Sequence, residues 1–183
     1  MWGGGQAEWV AAVMPDGRLI VRGPDDRLYR VGGATPPVVI TPGSTYVTPT
    51  GLNQAGTRLA VVLRQTSQGP RRLVTVATDG SDATAPHELT VKPAGKLTAL
   101  RSRDGTSLAW VADDGAGKWA VWQAGFGPTA KAKQLSTWST SQVYLTAYDH
   151  GAGVLLGAST AGAVLRFRLD APQPDKPQVL ATV

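Results

Sequence analysis

"RSRDGTSLAWVADDGAGKWAVWQ", residues 101–123, reads as a polar turn, an apolar strand, a second polar turn and an aromatic strand. Asp104-Gly105 supplies the positive φ that a tight hairpin needs, and TSLAWV (106–111) is a short run of strand-favouring residues. DDGAG (113–117) turns the chain again, and WAVWQ (119–123) returns alongside. The fold is decided by whether this stretch recurs, because a repeat near 40–50 residues is the mark of a propeller blade.

It recurs. Pro15-Asp16-Gly17 precedes RLIV, Gln54-Ala55-Gly56 precedes TRLAVV, and Asp149-His150-Gly151 precedes AGVLLG. Each apolar run leads to a hairpin loop: GPDD (23–26), TSQGP (66–70), DDGAG (113–117) and STAG (159–162). A third strand follows, RLYRV, RLVTV, WAVWQ or VLRFRL, and then a short outer strand, PVVI, HELTV, AKQLS or QVLATV. A first strand stands before every turn glycine: EWVAAV, YVTPTGL, LTALRS and QVYLTAY. The expected fold is therefore all-β, a β-propeller of about four four-stranded antiparallel blades over units 6–41, 45–92, 96–137 and 141–183 of a single domain. A β-sandwich, or part of a larger propeller, is the alternative. No segment holds a helical apolar period, so helices should be nearly absent. Alternation in the third strands puts Arg30, Arg166 and Arg168 on one face. Trp9, Leu59, Val61, Leu108, Trp110, Leu155 and Phe167 are expected between blades.

Composition narrows the function. The 183 residues carry 42% hydrophobic and 17% charged side chains with 22 Gly and 13 Pro, a turn-rich globular balance. No cysteine is present, which removes disulfides, thiolate catalysis and cysteine metal sites. No apolar run is long enough to span a bilayer, and MWGGGQAEWV lacks the regions of a signal peptide, so a soluble chain is expected. The net charge of +5 is spread through strands and turns rather than gathered in a tract, which argues against nucleic acid as partner.

Motifs for chemistry are missing. His87 and His150 have no metal-ligand spacing, and Asp149-His150 reads as a turn. Glu8 and Glu88 are the sole glutamates, most aspartates flank Gly or Pro, and Asp25-Asp26 and Asp113-Asp114 lack a calcium-loop pattern. GGG (3–5) and Gly32-Gly33 precede no helix and read as a loose start and a turn. No catalytic residue, cofactor or metal site is nominated. What remains is aromatic and basic: Trp119, Trp122, Phe126 and Trp138 lie within 20 residues with Lys131 and Lys133 among them. The loop FGPTAKAK (126–133), with Arg71 and Arg72 beside the second hairpin, is the expected partner-binding surface.

Units of the form Asp-Gly-x-x-Leu-Ala-x-Val, hairpin, Leu-x-x-Val, Thr-Asp-Gly resemble TolB-type or WD40-like propeller repeats; the matching residues are Gly56–Val62 with Leu73–Gly80, and Asp104–Val111 with Trp119–Trp122. "LNQAGTRLAVVLRQTSQGPRRLVTVATDG" (52–80) is also similar to the propeller of LpqB-type lipoproteins. The resemblance implies a non-enzymatic scaffold that binds a protein or cell-envelope component, in the LpqB case outside the cytoplasmic membrane beside a sensor kinase. Two departures qualify it. Those families close with six to eight blades where this chain has material for four, and their Asp-Pro-Trp signature is degraded here. Self-association to complete a larger ring, a hydrolase or lyase on the same scaffold, and an anion or nucleic-acid binder are the alternatives.

Overall fold

The computed structural model describes residues 9–43 and 46–182. Gly3 to Gly5, Glu8 and Val183 lie outside them. Among the described residues there is no helix; sixteen strands make four separate four-stranded antiparallel sheets, which excludes the sandwich. Blade 1 holds β1 (Trp9–Val13), β2 (Leu19–Arg22), β3 (Leu28–Val31) and β4 (Val38–Val39). Blade 2 holds β5 (Tyr46–Leu52), β6 (Arg58–Arg64), β7 (Arg71–Ala77) and β8 (His87–Glu88). Blade 3 is β9 (Leu97–Arg101), β10 (Ser107–Asp113), β11 (Trp119–Gly125) and β12 (Lys133–Gln134). Blade 4 is β13 (Val143–Asp149), β14 (Val154–Ser159), β15 (Ala163–Phe167) and β16 (Gln178–Thr182). Strand order follows chain order in every sheet, so each is a plain meander and no strand is exchanged between blades.

The turns carry the backbone geometry that the sequence demands. Gly17, Gly56 and Gly105 sit at φ of 82°, 69° and 70°, each donating its N–H to the carbonyl three residues back. In the fourth unit the sequence alignment on Gly151 is corrected by the structure. The left-handed residue there is Gly153 (φ 67°), whose N–H donates to His150, while the Asp149 carboxylate accepts the Ala152 N–H. Two glycines flank Ala152, and the turn closes on the second.

Blades pack face to face through three apolar clusters. Ile20 and Leu28 of blade 1 meet Leu59, Val61, Val74 and Val76 of blade 2. Ala60, Val62 and Leu73 on the other face of blade 2 meet Leu108, Trp110, Ala112 and Ala124 of blade 3. Ala109, Val111 and Val121 then meet Leu155, Leu165 and Phe167 of blade 4. Strand alternation sorts these sets: odd positions of β6 and β14 and even positions of β10 turn to the preceding blade, and the alternate positions of β6 and β10 turn to the following one. Arg166 is exposed between buried Leu165 and Phe167, as alternation requires. Among the described residues no fourth cluster joins blade 4 to blade 1.

Of the expected core, only Trp9 is misplaced: it is 37% exposed. Register explains this. Trp9 pairs with Arg22 as Thr48 does with Val62, Thr98 with Val111 and Tyr144 with Ala158, and all four of these inner-strand residues are exposed. The inner strand is a sheet edge, so this position is uncovered whatever residue fills it. β-Bulges at Val10/Ala12, Pro49/Gly51 and Leu145/Ala147 bend the inner strands of blades 1, 2 and 4.

The turns also touch along one rim. The Gln54 N–H donates to Gly105 of the next blade at 2.9 Å, and the Arg103 N–H to Tyr148 at 2.8 Å. At the first seam the corresponding residue is Pro15, whose ring lies where a Cβ on Gly56 would fall, 2.5 Å away. Asp104 organises the central turn, accepting from the Ser102 hydroxyl at 2.6 Å and from Thr106 N–H at 3.1 Å. Those bonds, the Ser102 hydroxyl first, hold its carboxyl down at about 2 against an ordinary 3.8. A carboxyl depressed on folding stabilises above its unfolded pKa and loses that contribution as pH falls through the folded one. The stability gap between wild type and Asp104→Ala, measured by denaturant unfolding at stepped pH, is therefore expected to be full above about pH 4 and to close on the way to about pH 2.

Candidate functional site

Blade 3 differs from its neighbours at one cross-strand pair. Where blade 2 has Val61 opposite Val74 and blade 4 has Gly157 opposite Leu165, blade 3 has Trp110 opposite Trp122. Their rings stack with centroids 6.5 Å apart and 11° between planes. Trp138, from the segment between β12 and β13, meets Trp122 edge to face at 6.4 Å. The adjoining main chain holds it there: Ser139 and Trp119 exchange N–H···O=C bonds of 2.7 and 2.9 Å.

These three indoles line a cavity of about 290 Å³ on the side of blade 3 that faces blade 2. Trp110, 1% exposed, is the floor, and Trp138, 42% exposed, is the lip. The crossing segment Thr90–Pro93 forms the opposite wall, and Gln134, Asp113 and Asp114 complete the rim. The two carboxylates are already engaged. Asp113 Oδ1 accepts from the Gly95 and Lys96 N–H groups at 2.7 and 3.1 Å, tying the crossing segment down. Asp114 Oδ1 accepts from the Lys118 and Ala116 N–H groups, which keep its carboxyl below the usual range. Both carboxylates shape loops through these bonds, and the indole faces line the open cavity beside Lys92.

The residues singled out from sequence are dispersed by the fold. Trp122 and Trp138 meet, but Trp119 lies three positions from Trp122, so it points to the opposite face, toward blade 4, with the Lys96 ammonium 6.0 Å from its ring. Phe126 is 4% exposed inside the cluster between blades 2 and 3, so its ring is not offered to a partner. Lys131 is exposed, whereas Lys133 Nζ donates to the Leu169 carbonyl at 2.8 Å and ties blade 3 to the segment after blade 4's third strand. Arg71 bonds the Leu97 carbonyl at 3.2 Å across the seam, and Arg72 pairs with Glu88 at 3.3 Å. Trp110 belongs to the cavity although the sequence reading assigned it to the core alone. The pairing becomes visible only once the hairpin register is fixed: the Asp114 N–H bonds Lys118 and places Trp110 opposite Trp122.

Neither histidine holds a serine or threonine hydroxyl. His87 Nε2 donates to the Ala130 carbonyl at 2.8 Å, and His150 Nδ1 faces Gln123 and the Tyr148 hydroxyl at 3.2 Å each. Among the described residues, no three His, Asp or Glu side chains gather where a metal ion could sit.

Comparison with known proteins adds a fold. A puromycin-hydrolyzing peptidase of Mycobacterium tuberculosis superposes with a TM-score of 0.65 over 98% of this chain at 20% sequence identity. The chain spans 30% of that protein's length. No family model matches, and no curated protein matches. The likeness is one of fold; the four four-stranded sheets themselves fit a propeller-like arrangement, and the TolB, WD40 and LpqB resemblances gain nothing more specific.

Truncating the two end members of the indole stack separates floor from lip. Trp110→Ala is expected to lower the unfolding free energy by about 3–5 kcal/mol, the cost of emptying a core aromatic site. Trp138→Ala should cost about 1 kcal/mol, the scale of one aromatic pair. Paired urea melts check both.

Proposed function

We propose that this domain is a non-enzymatic binding module that takes an apolar or aromatic side chain from an extended segment of a protein partner into the Trp110–Trp122–Trp138 cavity. The observation that carries the reading is the half-open indole stack, because a rigid aromatic pocket with a polar rim is the composition of a binding hot spot. A cavity near 290 Å³ admits one large side chain with part of its backbone. Lys92, Gln134 and the two engaged aspartates supply the rim that fixes register. The resemblance to TolB-type repeats and to the LpqB propeller supports a cell-envelope setting for this role, outside the cytoplasmic membrane. No helix among the described residues is long and apolar enough to cross a membrane.

The alternative is a hydrolase, and its support is that the M. tuberculosis neighbour is a puromycin-hydrolyzing peptidase. At 20% identity over part of that protein, the likeness bears on fold. The engagement of Asp113 and Asp114 by main-chain N–H groups, and of both histidines by groups other than serine or threonine hydroxyls, favours the binding reading.

Panning a phage-displayed library of random linear peptides against the domain tests it. Enriched peptides are expected to share a Trp, Tyr, Phe, Leu or Pro anchor and to change the indole fluorescence on titration. Trp138→Ala should weaken them at least about tenfold, the effect of removing a modest hot spot. Peptides that bind Trp138→Ala as tightly as wild type would sink this site, and turnover of a peptide p-nitroanilide by the purified domain would sink the non-enzymatic reading.

A further inference from the structure

Strands β6 and β7 carry four arginines, and two of them have carboxylate partners. Arg58 pairs with Asp82 at 2.7 Å and Arg72 with Glu88 at 3.3 Å. Arg64 and Arg71 face each other instead. They stand directly opposite in the β6–β7 register, on the face that Val62 and Leu73 turn to blade 3. Like charges so placed destabilise a sheet. Among the described residues neither guanidinium has a carboxylate within ion-pair distance.

Both side chains are nevertheless held in place. Arg64 Nη1 donates to the Ser67 carbonyl at 2.7 Å, and Arg71 Nη1 to the Leu97 carbonyl at 3.2 Å. Tyr46, opposite Arg64 on the inner strand, has its ring 5.7 Å from the guanidinium carbon. Arg71 is also fixed at its main chain, exchanging N–H···O=C bonds of 2.7 and 2.9 Å with Ala94. The Nε and Nη2 donors of both guanidiniums have no acceptor among the described residues.

The two arginines line a cleft of about 410 Å³ between the inner strands of blades 2 and 3. Thr48, Thr50 and Thr98 add hydroxyl groups, Val62, Leu97 and Ala99 give it apolar walls, and no Asp or Glu lines it. Thr50 reaches the cleft through the bulge in β5: Pro49 faces Val61 and Gly51 faces Ala60, so Thr50 has no residue opposite. Bulges re-aim side chains in this way and are frequent beside functional sites. The cleft is separate from the indole cavity. Thr90–Pro93 form a wall of that cavity, whereas Leu97 and Thr98, further along the chain, line the cleft.

We propose that this cleft binds a phosphoryl group, held as a dianion between Arg64 and Arg71 with the threonine hydroxyls completing its hydrogen bonds. Charge sets the class: two fixed guanidiniums opposite each other are matched by a ligand of two negative charges. Shape sets it further. One guanidinium satisfies a carboxylate alone through a bidentate pair, whereas a tetrahedral phosphoryl group has oxygens for both.

Amide NMR titration of the full chain at low ionic strength, with inorganic phosphate, phenyl phosphate and acetate as probes, tests the site. Both phosphates are expected to bind saturably with Kd below about 1 mM, and acetate at least about tenfold more weakly. Tighter binding of phenyl phosphate marks an organic ester as the source of the group, and tighter binding of inorganic phosphate marks the free ion; either supports the site. Arg64→Gln and Arg71→Gln should each weaken both phosphates at least about tenfold, the scale of a lost charge-assisted contact. Arg166→Gln removes the same charge from an exposed position in blade 4 and should leave binding unchanged. Arg64→Gln decides the matter should Arg71→Gln, which also loses the bond across the seam, fail to fold. Absence of saturable phosphate binding would overturn the proposal, as would acetate binding as tightly as phosphate. Full affinity in Arg64→Gln, or an equal loss in Arg166→Gln, would do the same.

Discussion

A four-stranded sheet has two faces and no means of hiding either one alone. That constraint governs this molecule. Every strand that can afford to be apolar on both sides is one flanked by sheets on both sides, which is why β6 and β10 are buried along almost their whole length while β16 is exposed throughout. Leu59, Leu108 and Leu155 occupy the same register position in successive blades, and none is exposed to solvent. Burying a leucine contributes about 1.5–3 kcal/mol, so three equivalent ones do much to fix how the blades meet. Because every blade is a contiguous meander, the stack holds together by faces, by rim contacts and by cross-seam bonds such as Lys133 to Leu169 and Arg71 to Leu97.

Distinctiveness enters where the repeat is broken. The Trp110–Trp122 pair stands where the other seams have Val61 with Val74 or Gly157 with Leu165, and its stacked indoles line the cavity. Asp113, anchoring the main chain at Gly95 and Lys96, keeps the crossing segment from collapsing onto the indoles. A scaffold shared by many proteins thus acquires individuality through one enlarged pair and one carboxylate, which fits the general separation of fold from function.

The blade order was legible because turn chemistry and side-chain alternation agree. Asp-Gly marks a turn, the residues between turns are β-branched or aromatic, and the order of four strands repeats. Legibility failed where two signals diverged. In DHGAG the chain offers two glycines, and which one adopts the left-handed conformation depends on Asp149 capturing the Ala152 N–H, a side-chain bond invisible to spacing. Trp9 reads as core by type, yet its register puts it on an inner sheet edge. Proximity in sequence grouped Trp119, Trp122 and Phe126, but a strand sends neighbours to opposite faces, so the group was never one surface. Lys133 and Arg71 look free until the fold brings backbone carbonyls within their reach.

The rim contact at Pro15 has a mechanical meaning. Gln54 and Arg103 lash their turns to the next blade by a main-chain N–H, and a proline in the matching place has none to give. Pro15 instead leans on Gly56 by shape alone. Tension applied along the chain would accordingly peel blade 1 away before the other three let go, making the first seam the natural breaking point of the stack.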